Sequence, residues 1–125
     1  MKDQLKAKYL SLTRKLGLED EVFEDKLNLF LNSNVIALDE GFLKLNDFLK
    51  FCELLQIQPG KLSDDYYNFV QSNYGMKIYN CRISLGLNQK QFAKLINISP
   101  VNIYKFESQV KYPNRTQYEK LKEVL

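Results

Sequence analysis

Residues 85–107 constrain the fold more than any other part of the chain. They contain two short amphipathic stretches, Gln89–Ile96 and residues 100–106, separated by Asn97-Ile98-Ser99. Ser99 is a preferred N-cap, and a proline such as Pro100 suits the first helical position. The small Ala93 allows the first stretch to cross closely over the second. The segment therefore predicts two short helices joined by a tight turn, with apolar residues where the helices touch.

The remaining chain also shows mostly helical periodicity. Leu5, Tyr9, Leu12 and Leu16 are spaced four, three and four, which predicts a helix over residues 1–16 that Gly17 ends. The same reasoning predicts helices over residues 19–31, 45–57, 64–70, 74–85 and 116–125, with Leu85 and Leu125 facing inward. Residues 35–45 are ambiguous between a short helix and an extended piece. We expect an all-α fold.

A break at Gln58-Pro59-Gly60 predicts the domain boundary. We expect a helical domain over residues 1–60 and a helix-turn-helix domain of four to five helices over residues 61–125. Charge is uneven: residues 1–62 hold nine Lys/Arg against ten Asp/Glu (net −1), and residues 63–125 hold nine against five (net +4). A basic C-terminal half suits contact with nucleic acid.

Several classes of function are excluded by what the sequence lacks. No apolar run approaches the roughly 20 residues that span a bilayer, and no signal peptide is visible, so we expect a cytoplasmic protein. Cys52 and Cys81 are isolated and histidine is absent, which argues against zinc. Without a glycine-rich phosphate loop, a nucleophile motif or a calcium loop, we expect no enzyme activity, no cofactor, no metal and no small-molecule ligand.

The order and spacing of motifs over residues 74–125 resemble the lambda-repressor/Cro-like (xenobiotic-response-element type) helix-turn-helix family. The matching residues are Arg82, Leu85-Gly86-Leu87-Asn88-Gln89, Phe92-Ala93, Ile98-Ser99, Ile103, Glu107, Pro113 and the apolar closing positions Tyr118, Leu121 and Leu125. The resemblance implies a small double-stranded DNA-binding protein, either a transcriptional regulator or an accessory factor of a phage or plasmid.

The resemblance also implies roles for individual residues. The helix at about residues 100–107 would be the recognition helix that reads the major groove. Gln89 would contact a phosphate or a base edge, and Arg82 and Glu107 would form a structural ion pair between the first helix and the recognition helix. Val101 can make only apolar contacts, for instance with a thymine methyl group. The expected DNA-contact set is Gln89, Lys90, Ser99, Pro100, Val101, Asn102, Tyr104, Lys105, Lys111 and Arg115.

The N-terminal half repeats part of this pattern. Leu16-Gly17-Leu18 lies 69 residues before Leu85-Gly86-Leu87, and Ile36 and Glu40 lie 67 residues before Ile103 and Glu107. This predicts a degenerate helix-turn-helix over residues 1–60.

Five carboxylates within residues 19–25 would repel phosphate, so this half is expected to serve another role. It could pair with the C-terminal domain as an internal pseudo-dimer, form a homodimer through its Phe/Leu-rich stretch, or bind a protein. The alternative for the whole chain is an interaction module, such as an antitoxin, adaptor or anti-repressor.

Overall fold

The computed structural model of the protein describes Tyr9, residues 20–34 and residues 36–125, with the backbone alone for residues 20–22. Its elements are α1 (Asp20–Ser33), β1 (Leu38–Asp39), β2 (Phe42–Leu43), α2 (Leu45–Leu55), α3 (Pro59–Leu62), α4 (Asp65–Val70), α5 (Tyr74–Ser84), α6 (Gln89–Ile96), α7 (Pro100–Glu107) and α8 (Arg115–Lys122). The predicted helical fold class is confirmed. Of the helix predicted over residues 1–16, only Tyr9 is described, and it is helical and buried; Gly17 lies outside the described residues.

The chain divides into two compact units between Tyr67 and Asn68, within α4. The segment around Pro59, where the sequence predicts a boundary, forms the short helix α3. Gln58 is extended, with φ −70° and ψ 134°, and Pro59 is the first residue of α3. Proline is well suited to that position because its amide would have no intrahelical partner there.

The first unit has an aromatic core between α1 and α2. Phe23, Leu27 and Phe30 lie on one side of α1 at spacings of four and three, and all are buried. Phe51 of α2 meets two of them, with ring centroids 5.8 Å from Phe23 and 5.4 Å from Phe30. Of the Phe/Leu-rich stretch, half of the residues are buried, one is exposed and three are intermediate: Leu27, Phe30, Leu43 and Phe48; Leu29; and Leu31, Phe42 and Leu45.

A β-hairpin occupies the ambiguous region after α1. Leu38 pairs with Leu43 and Asp39 with Phe42 in antiparallel register. The connecting pair, Glu40 and Gly41, has φ values of 50° and 78°. Two consecutive positive φ angles are the requirement of the type I′ turn that joins two-residue hairpins. The predicted helix-turn-helix over residues 1–60 is therefore wrong at its second helix, because this turn bends the backbone into strands.

Two buried tyrosines hold the inner strand of the hairpin. The Leu43 N–H donates to the Tyr9 hydroxyl (3.0 Å), and the Leu43 carbonyl accepts from the Tyr67 hydroxyl (2.5 Å). The two hydroxyls also bond each other. Since hydrogen-bonded and non-bonded pairs alternate along an antiparallel ladder, Leu43 turns its polar groups away from Leu38. The tyrosines thus satisfy a backbone that would otherwise be buried without partners.

The second unit packs around α7, which contacts both α5 and α6. Ile103 and Phe106 of α7 are completely buried, as are Ile78 of α5 and Phe92 of α6. The inward orientation predicted for Leu85 and Leu125 is wrong, because both side chains are about half exposed. Leu85 follows the last residue of α5, and Gly86, with φ 71°, turns the chain away there.

Candidate nucleic-acid interface

Both helices of the predicted motif begin with a side-chain cap. The Asn88 side chain accepts from the Gln91 N–H (2.8 Å), and the Gln91 side chain accepts in return from the Asn88 N–H (3.0 Å). This reciprocal arrangement satisfies two amides that α6 leaves open. The Ser99 hydroxyl accepts from the Asn102 N–H (3.3 Å) at the start of α7, ahead of Pro100. The helix starts lie where the sequence predicts them.

The turn between α6 and α7 is short and tightly bonded. Asn97 ends α6 in the left-handed conformation, with φ 57°, which asparagine tolerates better than most residues. The Ile98 N–H donates to the Ala93 carbonyl (3.0 Å), and the Lys120 ammonium donates to the Asn97 carbonyl (2.9 Å). Ala93 is itself buried. The angle between the two helices is therefore fixed by backbone contacts and by α8.

One side of α7 is open to solvent. Val101 and Tyr104 are 62% and 58% exposed, and Lys105 beside them is partly exposed. Their spacing of three and four places them on one side of the helix, and Ile103 and Phe106 lie on the other. The outward face of α7 is thus built from an apolar side chain, an aromatic ring and a cation.

The loop after α7 folds back along this face. The N–H groups of Val110 and Lys111 both donate to the Lys105 carbonyl, at 3.0 and 3.3 Å. The Lys111 ammonium then donates to the Asn102 side-chain oxygen (3.3 Å). Val110 is 72% exposed. No local sequence pattern predicts the position of Val110, because the fold-back of the loop depends on backbone hydrogen bonds to α7.

A buried ion pair ties α5 to α7. The Arg82 guanidinium donates to both oxygens of the Glu107 carboxylate, at 2.8 and 2.9 Å, and to the Leu87 carbonyl at 3.0 Å. Arg82 is only 9% exposed, and its guanidinium also lies 5.2 Å from the centre of the Tyr79 ring. The hydrogen bonds to Glu107 raise the pKa of Arg82, so the charge persists although burial opposes it.

Gln89 belongs to the same network. Its side-chain nitrogen donates to the Glu107 carboxylate at 3.3 Å, and the side chain is only partly exposed. The ion pair therefore also positions the first residue of α6. Among the other predicted contact residues, Lys90, Ser99 and Pro100 are exposed. Arg115 differs, because its Nε and Nη2 atoms are buried, so only part of its guanidinium faces solvent.

The charge of the second unit is strongly positive. Residues 68–125 hold nine Lys/Arg against three Asp/Glu, a net charge of +6, and one of those acids, Glu107, is already paired with Arg82. The first unit, residues 1–67, holds nine against twelve. Such a field attracts polyanions to the second unit and lowers their affinity for the first.

In the part of the chain that the structure describes, no group of His, Cys, Asp and Glu is arranged to hold a metal ion. Across the same residues, no helix combines the length and apolar character needed to cross a membrane.

Comparison with known families gives a match for this unit. Residues 78–125 match the helix-turn-helix family model of the lambda-repressor/Cro-like type, which supports a DNA-binding role. Searches of curated proteins and of solved structures returned no match. The matched range begins within α5 and includes α6, α7, α8 and the Arg82–Glu107 pair.

Proposed function

We propose that the protein reads double-stranded DNA with α7 in the major groove. The match of residues 78–125 to the lambda-repressor/Cro-like helix-turn-helix family model supports this proposal. The observation that carries the proposal is the open face of α7. Val101, Tyr104 and Lys105 project from a helix whose opposite side is locked into the core. The helix is thereby held rigidly while its outward side chains remain available to base edges.

Phosphate contacts would come from the rim of this face. Lys90 lies in the first turn of α6 and is exposed. The amino ends of α6 and α7 add the partial positive charge of their unpaired amides. Each phosphate neutralised by a lysine steepens the salt dependence of binding. Val101 would contribute apolar contact with a thymine methyl group.

The proposal is tested by fluorescence anisotropy with a duplex library at low and moderate salt. We expect measurable binding at low salt that weakens steeply as salt rises. Lys105→Ala and Lys90→Ala should each weaken binding without lowering the melting temperature. Lys122→Ala is the matched control, because Lys122 lies on α8 and lines a groove away from α7. A complete absence of duplex binding at low salt, or an equal loss with Lys122→Ala, would contradict the proposal.

We further propose that the protein acts in the cytoplasm as a transcriptional regulator or as an accessory factor of a mobile element. Either role requires a small protein that binds double-stranded DNA, and neither role requires catalytic activity. A footprint on the DNA flanking its gene tests the regulatory role. Two protected half-sites about 10 base pairs apart would indicate a homodimer, and one half-site would indicate a single reader.

A protein-interaction module is the second candidate, and an apolar stripe on α5 favours it. Met76, Tyr79 and Ile83 follow one another at spacings of three and four, and each is about half exposed. They lie on the side of α5 away from the buried Ile78, and the Tyr79 ring lies at the edge of this stripe beside Arg82. An interaction module would lose partner capture when Met76 and Ile83 are replaced by serine and would keep it when Lys105 is replaced by alanine. A DNA-binding protein would instead lose duplex binding when Lys105 is replaced by alanine and would keep it when Met76 and Ile83 are replaced by serine.

A further inference from the structure

We propose that Asn102 and Lys111 act as one specificity-determining pair that selects guanine over adenine in the major groove. This inference rests on the proposed DNA-binding function and deepens it by naming the base that α7 reads. It arises from the bond between the two side chains, in which the Lys111 ammonium donates to Oδ1 of Asn102 over 3.3 Å.

The bond fixes the direction of the Asn102 amide. An ammonium group has three donors and no acceptor, so it can meet only the oxygen of the amide. The amide nitrogen, with its two donors, must then lie on the side away from Lys111. Asn102 is in the first turn of α7, where its own N–H is held by the Ser99 hydroxyl, so the backbone beneath this amide is fixed as well.

Lys111 is held in place by its backbone. Its N–H and that of Val110 both donate to the Lys105 carbonyl. The preceding Gln109 has φ 59°, and its side chain accepts from the Gly75 N–H at 3.1 Å. The loop is thus attached to α5 and α7 at three points, which keeps the Lys111 side chain beside the first turns of α7.

The chemical consequence is a change of base preference. A free asparagine offers one donor and one acceptor, which matches the N7 acceptor and N6 donor of adenine. The Lys111 ammonium engages one of the two lone pairs of the Asn102 oxygen and adds its own donors beside it, so the pair presents more donors than acceptors. Guanine presents two acceptors, N7 and O6, in the major groove. A pair dominated by donors therefore complements the two acceptors of guanine, whereas the amino group of adenine would face the Lys111 ammonium, which is also a donor.

The test is selection of bound duplexes from a library with one randomised region, followed by sequencing. We expect the wild-type sites to hold guanine at one position and Lys111→Met to move that position to adenine. The relative affinity for the two bases should change by about 5- to 150-fold, the range of one bidentate contact. Lys90→Met is the matched control, since a lysine that binds phosphate lowers affinity for all sequences about equally.

A second measurement removes a single acceptor from the DNA. Replacing the selected guanine with 7-deazaguanine should weaken binding of the wild-type protein several-fold and leave Asn102→Ala nearly unaffected. Adenine selected by the wild-type protein, or a uniform loss of affinity with Lys111→Met, overturns the inference while the proposed function stands. If the wild-type protein binds no duplex at low salt, both fail together. Lys111 is exposed, so its replacement should leave the melting curve unchanged.

Discussion

The buried ion pair should make the second unit highly sensitive to removal of Arg82. In Arg82→Met, the long apolar stem of the side chain is kept and three hydrogen bonds are lost, two to Glu107 and one to the Leu87 carbonyl. The Glu107 side chain is only 8% exposed. Among the described residues, the Glu107 carboxylate would retain the 3.3 Å hydrogen bond from the Gln89 side chain.

The expected loss follows from that uncompensated charge. Breaking a buried pair by removing one partner costs about 3–5 kcal/mol. A small domain is stable by only about 5–15 kcal/mol in total, so the variant should retain little stability. The double variant Arg82→Met/Glu107→Met removes both charges, and it should recover most of the loss because apolar replacement of a buried pair is often nearly neutral.

Hydrogen exchange followed by mass spectrometry is the appropriate assay, because it reports the two units separately. Amides in α5 and α7 should exchange about a hundredfold faster or more in Arg82→Met, the equivalent of at least about 3 kcal/mol. Amides of α1 and α2 serve as the internal control. A change below about fivefold in α7, or a double variant as unstable as the two single changes added together, would refute the assignment of this pair to the scaffold.

Three further predictions concern packing, pH and DNA contact. In denaturant melts, Gly75→Ala should lower the stability of the second unit, because a Cβ atom at residue 75 would lie 2.7 Å from a backbone carbonyl oxygen of α7. Gly60→Ala is the control: a Cβ atom there has nothing within 4 Å, so the change should be neutral or slightly stabilising. Burial raises the pKa of Cys52 from 9.0 to about 11. Between pH 9 and 11 the Cys52 thiol therefore keeps its proton in the folded chain and loses it in the unfolded chain. The free energy of unfolding, measured by denaturant melts, should fall as pH rises through this range, and the fall should be smaller in Cys52→Ala. Replacing thymines of a bound duplex with deoxyuridine should weaken wild-type binding several-fold at one position, and Val101→Ala should be insensitive to this change.

Much of the second unit could be predicted from local rules. Ser99 and Pro100 mark the start of α7 because capping and the missing proline amide act within one helical turn. Gly86 marks the end of α5 for an equally local reason, its positive φ. The ion pair between Arg82 and Glu107 is predicted only by the family resemblance. The two residues are 25 positions apart, and no local sequence pattern indicates that their side chains are in contact.

The first unit shows where pattern matching fails. The match of Ile36 and Glu40 to Ile103 and Glu107, 67 residues later, predicts a second helix-turn-helix, but a match of residue types carries no information about the backbone between them. Glu40-Gly41 is a weak turn signal in the sequence because glutamate rarely adopts positive φ. The hairpin becomes favourable through Tyr9 and Tyr67, which supply partners for the Leu43 backbone from distant points in the chain. Among the described residues of the first unit, β1 occupies positions that the repeat pattern matches to α7, which argues against an internal pseudo-dimer of two complete helix-turn-helix units.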